Sequence, residues 1–254
     1  MTTTTPDDVA DIPALDHRSA MARARVEYER LGALLEALGP VDWDTPTDCP
    51  AWDVREMVAH VVGAMAGNAS MRENLRQLRL AGEGDGPLVD ELSALQVRDR
   101  AQATPDELLA EYRGLVTPAW KGRSRVPGPI RSLARMKVEM PYGTERWTLG
   151  YLVDTIYTRD VWMHRIDIAR ATGRALDLTA DHDGRLVADI VAEWARRHGR
   201  AFTLALDGPA GGTFRAGDGG AGPAARLHLD AVEYARTVSG RVQGEGLLAT
   251  PVAF

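Results

Sequence analysis

The stretch Tyr157-Thr-Arg-Asp160-Val-Trp-Met-His164-Arg-Ile-Asp167 carries the reading of the fold, because it has helical character and sets two candidate metal ligands on one face. His164 lies four residues after Asp160. At ~100° per residue, that offset leaves the two side chains ~40° apart and about one turn apart along the axis. A carboxylate and an imidazole placed this way can share one divalent metal. The same spacing also describes an exposed helix pair or a core histidine with satisfied hydrogen bonds, and these are its commoner meanings. His60 sits at the centre of a second helical stretch, Val54-Arg-Glu-Met-Val-Ala-His60-Val-Val-Gly63, and is placed to supply a third ligand. Asp167 falls ~20° from Asp160 on the side away from His164. It either orients a ligand imidazole as a hydrogen-bond acceptor or is a buried aspartate bonded to an arginine or to backbone.

Working outward, His17 to Leu38 reads as an amphipathic helix after a short disordered lead, with Met21, Val26, Leu31, Leu34, Leu35 and Leu38 as its apolar stripe and Gly39-Pro40 as its stop. Val41 to Trp52 is a polar loop. Asp53 then caps the helix that carries His60, with Glu56 completing a capping box, and a break is expected near Gly67-Asn68 before the helix ends at about Leu80. A third helical region, Leu88 to Trp120, restarts at Thr104-Pro105. Lys121 to Thr148 looks irregular, and its arginine-rich run from Arg131 to Lys137 is either a contact for an anionic substrate or, as such runs more often are, a solvated face. Leu149 to Thr172 is the fourth long helix. Four long helices with two long connections predict a four-helix bundle, in which metal sites form where inward faces meet. After Thr179 the pattern changes. A helix from Asp183 to Arg197 precedes three alternating segments, 201–206, 212–216 and 225–229, read as short antiparallel strands, and an Asp230-capped helix follows. The predicted division is a bundle over 12–178 and a small α+β domain over 179–254.

The chain of 254 residues is 44% hydrophobic, enough for one substantial core or two modest ones. Its net charge of −6, with acidic and basic residues interspersed, gives no basic face for nucleic acid. Cys49 is the only cysteine, which excludes an intrachain disulfide and a cysteine-ligated zinc knot. With no histidine fixed near it in sequence, Cys49 reads as a bystander. Trp43, Trp52 and Trp162 read as core and loop anchors. No apolar run approaches the ~18 residues of a membrane span, and no signal-peptide pattern opens the sequence, so a soluble cytoplasmic protein is expected.

Two motifs tie these residues to a known family. Trp43-Asp-Thr-Pro-Thr-Asp-Cys-Pro-Ala-Trp52-Asp-Val-Arg-Glu-Met-Val-Ala-His60 resembles the entry motif of the mycothiol-dependent maleylpyruvate isomerase family. Arg159-Asp-Val-Trp-Met-His164-Arg-Ile-Asp167-Ile-Ala-Arg-Ala-Thr-Gly173 looks like that family's second metal-binding helix, and Leu229 to Arg241 resembles the end of its small second domain. The resemblance implies a mainly α fold: a DinB-like four-helix bundle followed by a small sterol-carrier-like α+β domain. It also implies a divalent metal, zinc above all, held by a His, Glu, His set. His60 and His164 match two of those positions, and Asp160, shorter by one methylene, stands at the third. The implied cosubstrate is mycothiol, and the implied partners are that thiol and a small electrophile, with the protein a monomer or homodimer. The implied activity is isomerisation or thiol transfer on a small anionic electrophile, with Arg241 as the candidate catalytic contact from the second domain. A helix-end arginine complementing the dipole is the competing reading of Arg241. A non-catalytic metal-binding or regulatory module, or a metal-dependent hydrolase, is the competing reading of the whole.

Overall fold

Capping chemistry and apolar spacing set most of the elements of the computed structural model, which describes residues 6–217 and 224–254. In chain order these are β1 (Asp7–Asp8), α1 (His17–Glu36), α2 (Val54–Ala69), α3 (Met71–Ala81), α4 (Leu88–Asp99), α5 (Pro105–Ser124) and α6 (Gly128–Leu133). There follow β2 (Arg135–Met140), β3 (Gly143–Thr148), α7 (Leu149–Tyr151), α8 (Tyr157–Thr172), α9 (Arg185–His198), β4 (Phe202–Asp207), β5 (Gly212–Ala216), β6 (Ala225–Asp230) and α10 (Ala231–Val238). The fold is mainly α. No helix among the described residues is long and apolar enough to cross a membrane.

The chain divides into two units, Asp16–Ala175 and Met1–Leu15 with Leu176–Phe254. In the first, α1, α2, α5 and α8 form the bundle. Asp16 caps α1 by accepting from the Ser19 N–H, and Ala20, Met21, Ala24, Tyr28, Leu31 and Leu35 form its buried stripe. Tyr28 and the alanines take the place expected for Val26. Of these, Tyr28, Leu31 and Leu35 pack with Val54, Met57, Val58, Val61 and Val62 of α2, Leu108 and Tyr112 of α5, and Val161 and Ile168 of α8. The Tyr112 hydroxyl donates to the Tyr28 carbonyl at 2.6 Å, so α1 and α5 are joined by a polar bond inside that core. Gly122 lets α5 approach α2 closely, since a Cβ there would stand 1.9 Å from the Asn68 carbonyl oxygen.

Several local expectations change. Gly67 stays helical, and the break falls at Ser70, whose extended backbone (φ −138°, ψ 118°) ends α2 while its side chain caps α3. The stretch read as irregular contains an antiparallel hairpin, β2 with β3, in which Arg135 faces Thr148 and Met140 faces Gly143. Residues 152–156 form a single π turn ahead of α8.

The second unit holds a four-stranded sheet in the order β1-β5-β4-β6. Only β4 and β5 are antiparallel; β6 runs parallel to β4, and β1 runs parallel to β5. Residues 1–5 of the expected disordered lead lie outside the described residues, while Asp7 and Asp8 form an edge strand, Asp7 against Phe214 and Asp8 against Arg215. The Arg215 guanidinium reaches the Asp8 carboxylate at 3.0 Å. Within this unit α9 buries Leu186, Val187, Ile190, Val191 and Trp194, and α10 buries Val232, Tyr234, Ala235 and Val238.

Candidate metal centre

The second bundle helix is held at its start by a reciprocal cap. The Asp53 carboxylate accepts from the Glu56 N–H at 2.8 Å, and the Glu56 carboxylate accepts from the Asp53 N–H at 3.0 Å. From this fixed start α2 carries His60 inward, with 8% of its surface exposed. The other two sequence-predicted ligands come from α8. His164 is buried, while the Asp160 side chain remains 23% exposed. Ligand atoms of His60, Asp160 and His164 all lie within 4.8 Å of one another.

The contacts fit a shared metal. Asp160 Oδ1 stands 3.2 Å from His164 Nε2, and Asp160 Oδ2 stands 3.6 Å from His60 Nε2. Tetrahedral ligands about 2.1 Å from zinc lie about 3.4 Å apart, a value the two distances bracket. Asp160 thus reaches both imidazoles in spite of its short arm. Burial pushes its carboxyl up, but electrostatic attraction to the neighbouring His164 and His60 rings outweighs this and holds it well below the usual carboxylate range.

His164 Nδ1 lies 3.3 Å from Asp167 Oδ2, and Asp167 is fully buried. With its proton on Nδ1, His164 donates to Asp167 and leaves the Nε2 lone pair free for a metal shared with Asp160, the usual way a metal-binding imidazole is oriented. His60 lacks that support: its buried Nδ1 has no hydrogen-bond partner among the described residues. Its ring is instead held by stacking on Trp52, with centroids 4.9 Å apart and planes 28° from parallel. The same indole lies 6.0 Å from the His164 ring, so Trp52 flanks both imidazoles.

Trp52 is therefore more than the loop anchor read from sequence. A short turn presents it: Thr47 Oγ1 donates to the Trp52 carbonyl at 2.8 Å, and the Trp52 N–H donates to the Cys49 carbonyl at 2.9 Å. The turn also carries Cys49 to the site, placing its Sγ 3.9 Å from Asp167 Oδ2. Cys49, His164 and Asp167 form a second group of potential ligands sharing His164. No spacing in the sequence marks either contact.

The start of α8 is pinned from three elements. Asp154, in the π turn, meets His17 Nδ1 at 2.7 Å and Arg131 Nη1 at 2.6 Å. Arg131, read as part of a solvated face, is thus a structural tie. Arg123 of α5, almost wholly buried, donates from Nε and Nη2 to the Val153 carbonyl at 3.1 and 2.7 Å and from Nη2 to Thr158 Oγ1 at 2.7 Å. Its Nη1 donates to the Tyr28 hydroxyl at 3.1 Å. A π turn beside a site is a common device for setting the direction of the side chains that follow. Here it is clamped by charge and hydrogen bonds.

Arg241 belongs to the second unit. It follows α10 through Gly240, whose φ of +87° glycine adopts without strain, and its N–H donates to the Arg236 carbonyl at 2.9 Å.

Residues 24–169 match the family model described as the mycothiol maleylpyruvate isomerase N-terminal domain. Two solved structures are similar along nearly the whole chain. One is titled the mycothiol-dependent maleylpyruvate isomerase, with a TM-score of 0.58 and 16% identity, covering 94% of this chain and 93% of that one. The other is a histidine-to-alanine mutant of the mycothiol-dependent maleylpyruvate isomerase, with a TM-score of 0.57 and the same identity and coverage. At that identity the likeness concerns the fold. No curated protein matches the chain.

Proposed function

This chain belongs to the mycothiol maleylpyruvate isomerase N-terminal domain family, and from that premise we propose that it is a metal-dependent enzyme using mycothiol to isomerise, or transfer sulfur to, a small anionic electrophile. The observation that supports this most is the meeting of His60, Asp160 and His164 ligand atoms within 4.8 Å, with His164 oriented by a buried carboxylate. When bound, a divalent metal, zinc in our reading, supplies a Lewis acid with an open position at which a thiol ionises near neutral pH.

The chain's own residues do the rest. Asp160 brings a negative charge to a pair of neutral imidazoles, which suits a divalent cation better than three neutral ligands would. Asp167 fixes the tautomer and ring angle of His164. Trp52 places an apolar surface over both imidazoles, excluding water on that side and strengthening the electrostatic interactions within. Ionised thiol is the effective nucleophile, so a site that raises the ionised fraction accelerates addition to an activated double bond. Reversal after rotation about the resulting single bond gives an isomer; retention of the sulfur gives a thioether. Arg241 is the candidate cationic contact for the substrate's anionic group, as the family resemblance implies; Arg241→Lys should keep fold and metal while weakening substrate binding.

The test is calorimetric titration of mycothiol into metal-loaded and chelator-stripped protein. Binding by the loaded form and its loss on stripping are expected. A loaded protein that does not bind mycothiol would instead favour a metal-binding module or a hydrolase on the same scaffold.

A further inference from the structure

Tyr157 opens α8, three residues before Asp160 and seven before His164. At ~100° per residue these offsets keep all three within ~60° of one another, on one face of the helix. Long helical side chains also lean toward the N-terminus, so Tyr157 extends the ligand face beyond Asp160 at that end.

The ring is fixed from behind by a buried cation: the Arg123 guanidinium carbon lies 5.6 Å from its centroid. Arg123 is itself immobilised by Val153, Thr158 and Tyr28. The Tyr157 side chain is half-buried, yet its hydroxyl has no hydrogen-bond partner among the described residues. The oxygen is not among the fully buried unpartnered polar atoms, so it is open to solvent or to a ligand. Two fully buried tyrosines of the bundle core are committed by contrast: Tyr112 donates to the Tyr28 carbonyl, and the Tyr28 hydroxyl accepts from Arg123. An anchored ring carrying an uncommitted donor, on the face that bears two candidate metal ligands, has the form of a preorganised oxyanion donor.

We propose that the Tyr157 hydroxyl donates a hydrogen bond to an anionic oxygen of the substrate, a carboxylate or the enolate oxygen that develops during reaction. The proposal rests on the metal-and-thiol reading above and assigns the oxygen-recognising group to the bundle itself. When a thiolate adds to a double bond conjugated with a carbonyl, the sulfur–carbon bond forms and the π pair moves onto the carbonyl oxygen. Expulsion of the thiolate returns that pair to the double bond. Tyr157 keeps its proton throughout and stabilises the charge while it resides on oxygen. Burial pushes the phenol up to about 12, so it is a donor at neutral pH.

The experiment compares wild type and Tyr157→Phe, both loaded with cobalt(II), titrated calorimetrically with maleate as a small dicarboxylate probe. Metal content and melting temperature are measured on the same samples. Phe keeps the ring, so metal content should be equal, while maleate should bind at least about tenfold more weakly to the variant, the effect of losing one hydrogen bond to a charged group. The wild type offers a second readout without mutation: saturating maleate should perturb the ultraviolet absorption of a tyrosine. Equal maleate affinity in the two proteins, an unperturbed tyrosine spectrum, or no maleate binding by metal-loaded wild type overturns the proposal and leaves the metal reading standing. A wild type that takes up no metal overturns both.

Discussion

Removing the charge of Asp167 isolates the contribution of the group that orients His164. The carboxylate is fully buried, and its oxygen lies 3.3 Å from His164 Nδ1. Loss of such a partner costs about 10- to 100-fold in metal affinity, or about 1.4 to 2.7 kcal/mol. The separation here is longer than the ~2.8 Å of a strong charge-assisted bond. Asp167→Asn also keeps a carbonyl oxygen able to accept from Nδ1–H, so its effect should lie at the low end, about tenfold. Asp167→Ala leaves Nδ1–H buried without an acceptor and should approach about 100-fold. The assay is chelator competition with zinc or cobalt(II), with melting temperature as the check on folding. The expected order is wild type, then Asn, then Ala. If both variants hold metal within about twofold of wild type while His164→Ala loses it, Asp167 is a buried structural aspartate and does not orient the ligand.

Three further outcomes follow from the same geometry. Asp160→Glu should retain metal better than Asp160→Asn, because charge and oxygen ligand survive in the first; equal affinities by chelator competition would remove Asp160 from the ligand set. Gly122→Ala should destabilise the bundle by about 1–3 kcal/mol through overpacking, since its Cβ would meet the Asn68 carbonyl oxygen at 1.9 Å; an unchanged melting temperature would mean that α2 and α5 are not so close. Burial raises the Tyr157 phenol to about 12 and Tyr112 well above its ordinary 10.0. The unfolded chain therefore releases these protons first. The associated stability is intact below about pH 10 and is lost as pH rises toward about 12. Tyr157→Phe should flatten that decline in melts across this range, and an unaltered slope would refute it.

Features fixed by neighbours in sequence were the most legible. The Asp53/Glu56 capping box and the Thr104-Pro105 restart are local patterns, and both form. His60, Asp160 and His164 could be nominated because helical spacing and the family motifs place them, and the bundle brings them together. What sequence could not show depends on distant contacts or on direction. Trp52 and Cys49 reach the site through a turn, and Cys49 meets an aspartate 118 positions away. Alternation marks strands but carries no polarity, so β6 was expected antiparallel and runs parallel to β4. Asp7 and Asp8 are a strand only because β5 offers them an edge. The π turn at 152–156 leaves the apolar pattern nearly unchanged while altering the helix that follows.

Elemental metal analysis of purified wild type, His60→Ala and His164→Ala decides whether His60, Asp160 and His164 hold a metal. One divalent metal per chain is expected in the wild type and its loss from both variants, because two remaining ligands hold zinc poorly against solvent. Metal content unchanged in both variants, with the fold intact, would contradict it.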